Sequence, residues 1–140
     1  MSEKIVLNYH VEGEDLAQAG EASSKMKMAL RQLGLAPEVI RKAAICMYEG
    51  EINMVIHANG GEVTVEVGMD DIVITMEDKG PGIADIDRAM EEGYTTAGDV
   101  ARDLGFGAGM GLPNMKRYSD EMTVESTVGV GTTVRMKICV

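Results

Sequence analysis

Glu49, Asn53 and His57 stand four residues apart, so on a helix they form a polar row down one face. Such a row is most often a solvated edge. Here Ile52, Met54, Val55 and Ile56 crowd it, which puts the polar groups at the rim of a cavity. A carboxylate and an amide oxygen one turn apart can share a Mg²⁺ and its waters, because Mg²⁺ takes few protein ligands. The same carboxylate could take a proton from an attacking hydroxyl or water.

Two further stretches carry chemistry. Asp78 precedes Gly80-Pro81-Gly82. The plain reading is an Asp-x-Gly turn, but a buried carboxylate needs donors, and the exocyclic amine of a purine is one. The glycines would let a flat ring approach the backbone. Gly105, Gly107, Gly109 and Gly111 recur at every second position and run into Leu112-Pro113-Asn114-Met115-Lys116-Arg117-Tyr118. Pro113 suits a first helical turn. Glycine clusters are commonly surface loops, yet glycines leading into a helix N-terminus make an anion site suited to phosphate. The spacing matches neither a Walker A loop nor a complete G-x-G-x-x-G fingerprint.

These residues need elements to hold them. Residues 4–11 alternate with a strand period, and Gly13 ends the run. Asp15 to Leu33 reads as an amphipathic helix with Leu16, Ala19, Met26, Ala29, Leu30 and Leu33 on its stripe, stopped by Gly34. A second helix runs from Pro37 to about Ala58, and Asn59-Gly60-Gly61 turns the chain. Glu62–Val67 and Ile72–Met76 form a hairpin, Ala84–Met90 a short helix, and Gly93-Tyr94-Thr95-Thr96-Ala97-Gly98 the best candidate for a mobile lid. After the glycine-loop helix, Glu121–Glu125 and Thr132–Cys139 close the chain as a hairpin. The fold expected is an α/β (α+β) two-layer sandwich, a mixed, largely antiparallel sheet with helices on one face.

Composition bounds the partners. With 140 residues, 45% hydrophobic and 26% charged, the chain reads as one soluble domain, residues 1–140. A net charge of −10 argues against nucleic acid and leaves room for a basic protein partner. No stretch has the apolar length of a membrane span, and Met1-Ser2-Glu3-Lys4 lacks a signal peptide's apolar core. Cys46 and Cys139 read as reduced core thiols in a cytoplasmic protein, and His10 as an ordinary histidine.

The order Glu49-x-x-x-Asn53, Asp78-x-Gly80-x-Gly82, Gly107-x-Gly109-x-Gly111 and Gly131-Thr132-Thr133 resembles the N, G1 and G2 boxes of the GHKL (Bergerat-fold) ATPases. That group includes histidine-kinase catalytic domains, Hsp90, gyrase B and MutL. Within it, the chain looks most like the small anti-sigma-factor serine kinases and the stressosome switch kinase. Ala89 to Thr96, Lys116 to Glu121 and Val124 to Val134 look like that subgroup in particular. The lid, about residues 93–107, is longer than expected for the switch kinase, while Gly107 to Arg117 resembles the switch kinase more.

The resemblance implies ATP or ADP and Mg²⁺ as ligands. Glu49 would be the general base and a metal contact through water, and Asn53 would hold Mg²⁺. Asp78 would accept from the adenine amine, helped through water by Thr132 or Thr133. Gly80, Gly82 and Ile83 would flank the base. Gly107, Gly109 and Gly111 with the following helix would cradle phosphate, and Thr95, Thr96, Ala108, Met110 and Leu112 would also bind the cofactor. His57 would take a supporting role. The implied activity is an ATP-dependent serine/threonine-protein kinase of partner switching, acting on a small STAS-domain antagonist and/or regulating a sigma factor or downstream phosphatase, with a homodimer compatible. The alternative is a nucleotide-gated anti-sigma or activator binding protein with little transfer. The intact Glu49 and Asn53 favour the kinase, since a pure binder needs no base. A detached histidine-kinase domain fits less well, as does a non-catalytic scaffold.

Overall fold

The alternating runs become five strands in the computed structural model, which describes residues 4–13, 16–58, 60–80, 82, 90 and 111–140. They are β1 (Ile5–Glu12), β2 (Gly60–Val67), β3 (Asp71–Asp78), β4 (Glu121–Thr127) and β5 (Gly131–Cys139). They form one sheet in the order β1-β2-β3-β5-β4. Every ladder between them is antiparallel, so the expected mixed character is absent among these strands. Both predicted hairpins form. The closing one docks through its second strand, with Ile72 opposite Ile138, Ile74 opposite Met136 and Met76 opposite Val134.

Period-2 alternation gives the sheet one apolar face. Val63, Val65, Ile72, Ile74, Met76, Val134, Met136 and Ile138 are all buried, and the helices α1 (Glu21–Gln32), α2 (Pro37–His57) and α3 (Gly111–Tyr118) supply the other half of the core. From the helices come Met26, Leu30, Ile40, Ala43, Cys46, Met47, Leu112 and Met115. Gly50, in the middle of α2, is a packing residue. A Cβ there would strike Met76 Sδ and stand 2.9 Å from Met76 Cε, so its absence lets α2 lie close on β3.

The first helix differs from expectation. Leu16–Gln18 is a 3-10 turn, and α1 starts only at Glu21, after Gly20 in the left-handed region at φ 97°. No side chain of its own caps α1. Instead Glu51, from α2 and only 2% exposed, accepts hydrogen bonds from Gly20 N (2.9 Å), Ala22 N (3.2 Å), Ser23 N (3.0 Å) and Ser23 Oγ (2.5 Å). A remote carboxylate thus satisfies the free N–H groups of the helix start and complements its dipole. Leu33, placed on the apolar stripe by periodicity, is the C-cap and is 41% exposed.

The two thiols also divide. Cys46 is buried as expected, but Cys139 is exposed near the end of β5. His10, on the open face of the sheet, reaches Glu62 through Nδ1 (2.5 Å) and Glu12 through Nε2 (3.1 Å). The predicted lid over 93–107, most of the glycine loop, and all but Met90 of the helix expected over 84–90 lie outside the described residues.

Candidate active site

α2 carries the polar row, and α3 meets it. The contacts run in opposite order along the two helices, so they pack antiparallel. A Cβ on Gly111 would stand 2.9 Å from Asn53 Nδ2 and 3.0 Å from Asn53 Oδ1. Further along, Asn114 acts on the Glu49 carboxyl. Cys46 Sγ donates to the Met115 carbonyl at 3.7 Å, and the Arg41 guanidinium lies 5.6 Å from the Tyr118 ring centroid. Asn53 therefore touches the first residue of α3, which is where the glycine loop ends. A side chain at 111 would displace that amide.

Glu49 and Asn53 are both half-buried. Burial pushes the Glu49 carboxyl above the usual carboxylate range, and Asn114 draws it part of the way back. A carboxylate partly withdrawn from water, one helical turn from an amide oxygen, can act as a base or hold a hydrated cation. The position of His57 on α2 is described, but not its side chain.

The second part of the site hangs on the far end of α2. Asp78 closes β3 opposite Thr132. Its Oδ1 accepts from Gly80 N at 2.9 Å and from Thr132 N at 3.2 Å. Two backbone donors thus fix that carboxylate oxygen in place. Gly80 packs on the end of α2: a Cβ there would meet Ala58 Cα at 2.6 Å. Gly82, at φ 80°, lies against the β4–β5 hairpin, where a Cβ would meet Thr127 O at 2.5 Å. Both glycines are required by close backbone approach.

The two candidate threonines separate. Thr132 is buried on the helix face, and its Oγ1 is 2.8 Å from Ser126 Oγ, which also reaches the Gly131 carbonyl at 3.2 Å. Thr133 alternates to the open face, opposite Glu77 and Glu125. The structure thus brings Thr132, not Thr133, to Asp78. The apolar residues Val134, Met136 and Ile138 share the parity of Thr132, a signal already present in the sequence. Leu112 is buried in the core, and Gly111 opens α3. Ile83, Thr95, Thr96, Gly107, Ala108, Gly109 and Met110 lie outside the described residues. Sequence reasoning missed Asn114 and Ser126; the only hint of Asn114 was a weak helix former three residues after the last glycine.

A carboxylate–amide pair over the start of a glycine-led helix, with a second carboxylate in a glycine turn at a strand end, belongs to a known ATPase architecture. Residues 40–140 match the family described as histidine kinase-, DNA gyrase B-, and HSP90-like ATPase. The chain belongs to that family, and the antiparallel sheet under three helices is its fold. The match extends to its serine/threonine kinase and anti-sigma factor branch. The chain is 35% identical to the serine/threonine-protein kinase RsbT of Bacillus subtilis, over 77% of this chain and 84% of that one. It is 38% identical to an anti-sigma F factor of Caldanaerobacter subterraneus, over 75% and 73% of the two chains. An anti-sigma F factor of Pasteuria penetrans is 33% identical, over 83% and 80%.

Proposed function

We propose that the chain is an ATP-dependent serine/threonine-protein kinase of a partner-switching system, transferring the γ-phosphate of ATP to a hydroxyl on a small STAS-domain antagonist. The single observation that carries this reading is the junction of α2 and α3, where Asn53 abuts Gly111 and Glu49 meets Asn114. Glu49 takes the proton from the attacking hydroxyl, whose oxygen bonds to the γ-phosphorus as ADP leaves. Asn53 would hold Mg²⁺, with Glu49 as a contact through water. Mg²⁺ commonly takes one or two protein groups and the substrate's phosphates. Bound Mg²⁺ would supply charge neutralisation across the phosphate oxygens.

Asp78 Oδ2 accepts from the adenine amine, Thr132 assists through water, and Gly80, Gly82 and Ile83 flank the ring. Residues 107–112 cradle phosphate, with Thr95 and Thr96 in a lid over residues 93–107 of a single domain spanning 1–140. No helix among the described residues is long and apolar enough to cross a membrane, and we place the kinase in the cytoplasm with its protein partners. Relatives named as anti-sigma F factors support a second reading, a nucleotide-gated hold on a sigma factor with little transfer.

Two variants test the kinase reading. Asn53→Ala should abolish Mg²⁺-dependent ATP binding, whereas Glu49→Ala should bind ATP normally and transfer nothing. Transfer at the original rate by the Glu49 variant would remove the base from the mechanism.

A further inference from the structure

Glu49 is a long side chain with three rotatable torsions, on a helix face that leaves it half-buried. The antiparallel packing of α2 and α3 brings a second helix against it, with Gly111 at Asn53 and Met115 at Cys46. In that register position 114 falls opposite position 49. Asn114 is half-buried there, on the side of α3 that this register turns toward Glu49, and it opposes the upward shift of the Glu49 carboxyl. An ionised carboxylate only accepts hydrogen bonds, so the amide N–H₂ end of Asn114 is the one that favours it.

We infer that Asn114 is a positioning residue that holds the Glu49 carboxylate in the orientation from which it acts, an inference resting on the reading of Glu49 as the base. Helix formers would serve position 114 better if only α3 mattered. Because Gly111 and Asn114 ride on one short helix, the end of the glycine loop and the aim of Glu49 are set together. A hydrogen bond to a charged group is among the stronger single contacts, and misaligning a reacting group by about 1 Å can cost up to 100-fold.

The test compares Asn114→Leu, which keeps the branching at Cγ and removes the donor, with Asn114→Gln, which keeps the donor. Mg²⁺-ATP hydrolysis, with water as acceptor, gives kcat and KM. The side-chain amide of Asn114 is followed by NMR in the wild-type protein and in Glu49→Gln. A loss of about tenfold in kcat is expected for Asn114→Leu, with KM and melting temperature unchanged and partial recovery in Asn114→Gln. The Asn114 amide resonances should shift in Glu49→Gln. Wild-type kcat in Asn114→Leu, a loss carried by KM, or amide resonances indifferent to Glu49→Gln would each overturn the inference. Glu49→Gln hydrolysing ATP at the wild-type rate would instead remove the base reading beneath it. If the wild-type protein hydrolyses no ATP, the NMR comparison decides alone.

Discussion

Replacing Asp78 by Asn separates what that carboxylate does for the fold from what it does for a ligand. Its Oδ1 holds two backbone donors, Gly80 N at 2.9 Å and Thr132 N at 3.2 Å. An asparagine keeps a carbonyl oxygen in that place, so both bonds survive as neutral ones at a cost of about 1 kcal/mol. The other oxygen becomes an NH₂ group. Facing the adenine amine, it would set donor against donor and forfeit a charge-assisted bond of about 1.5–3 kcal/mol. Affinity for ADP should therefore fall roughly 10- to 150-fold, with the upper end favoured by the donor–donor clash. Calorimetric titration with ADP and with inosine diphosphate, whose ring carries a carbonyl oxygen in place of the amine, reads both effects. Preference for the adenine ring should shrink or invert in Asp78→Asn while the melting temperature moves only slightly. Unchanged ADP affinity, or equal losses for both nucleotides, would refute the assignment of Oδ2 to the amine.

Other outcomes follow from the same geometry. Glu51→Ala strands the donors at the start of α1, a buried network, and should cost about 2–4 kcal/mol in urea unfolding; a loss below about 1 kcal/mol would mean that water replaces the cap. Cys46, whose thiol burial pushes up to about 12, should stay silent to a thiol reagent at neutral pH while exposed Cys139 reacts, so the native chain should titrate one thiol and the unfolded chain both. His10 is held above its ordinary value by its hydrogen bond to Glu62, the Glu62 charge and Glu12, so its NMR titration midpoint should lie above 6.5. A folded-state value that is raised adds stability below the unfolded value and loses it as pH climbs through the folded one. The stability difference between wild type and His10→Asn should accordingly be greatest in acid and vanish in base.

Much of this arrangement was legible in the chain because it is local. Alternation marked the strands, glycines and Asp-x-Gly marked the turns, and the spacing of Glu49 and Asn53 marked a helix face. What local pattern lacks is the identity of a distant partner. Glu51 carries no mark of its own in the sequence, because nothing near it reveals the helix start at Gly20 that it caps. That start also broke the expected helix from Asp15 to Leu33 into a turn and a shorter α1. The insertion of β5 between β3 and β4 depends on which strand edge is open, not on either strand's own residues. Cys139 was expected in the core because thiols usually are, and position near a strand end overrode that preference. Asn114 stood out only as a weak helix former until the α2–α3 register set it opposite Glu49. Thr132 against Thr133 was different, since strand parity alone separates them.

The central claim is phosphate transfer from this site to a hydroxyl on a small protein. The most direct measurement is capture of partners from the source cell's lysate with purified protein and Mg²⁺-ATP, followed by mapping of new phosphates, beside a parallel capture with Glu49→Ala. A small STAS-type protein carrying a phosphoserine or phosphothreonine only with the wild-type chain is the predicted result. Capture of a sigma factor or larger enzyme with no new phosphate in either sample would contradict it and make the chain a nucleotide-gated binder.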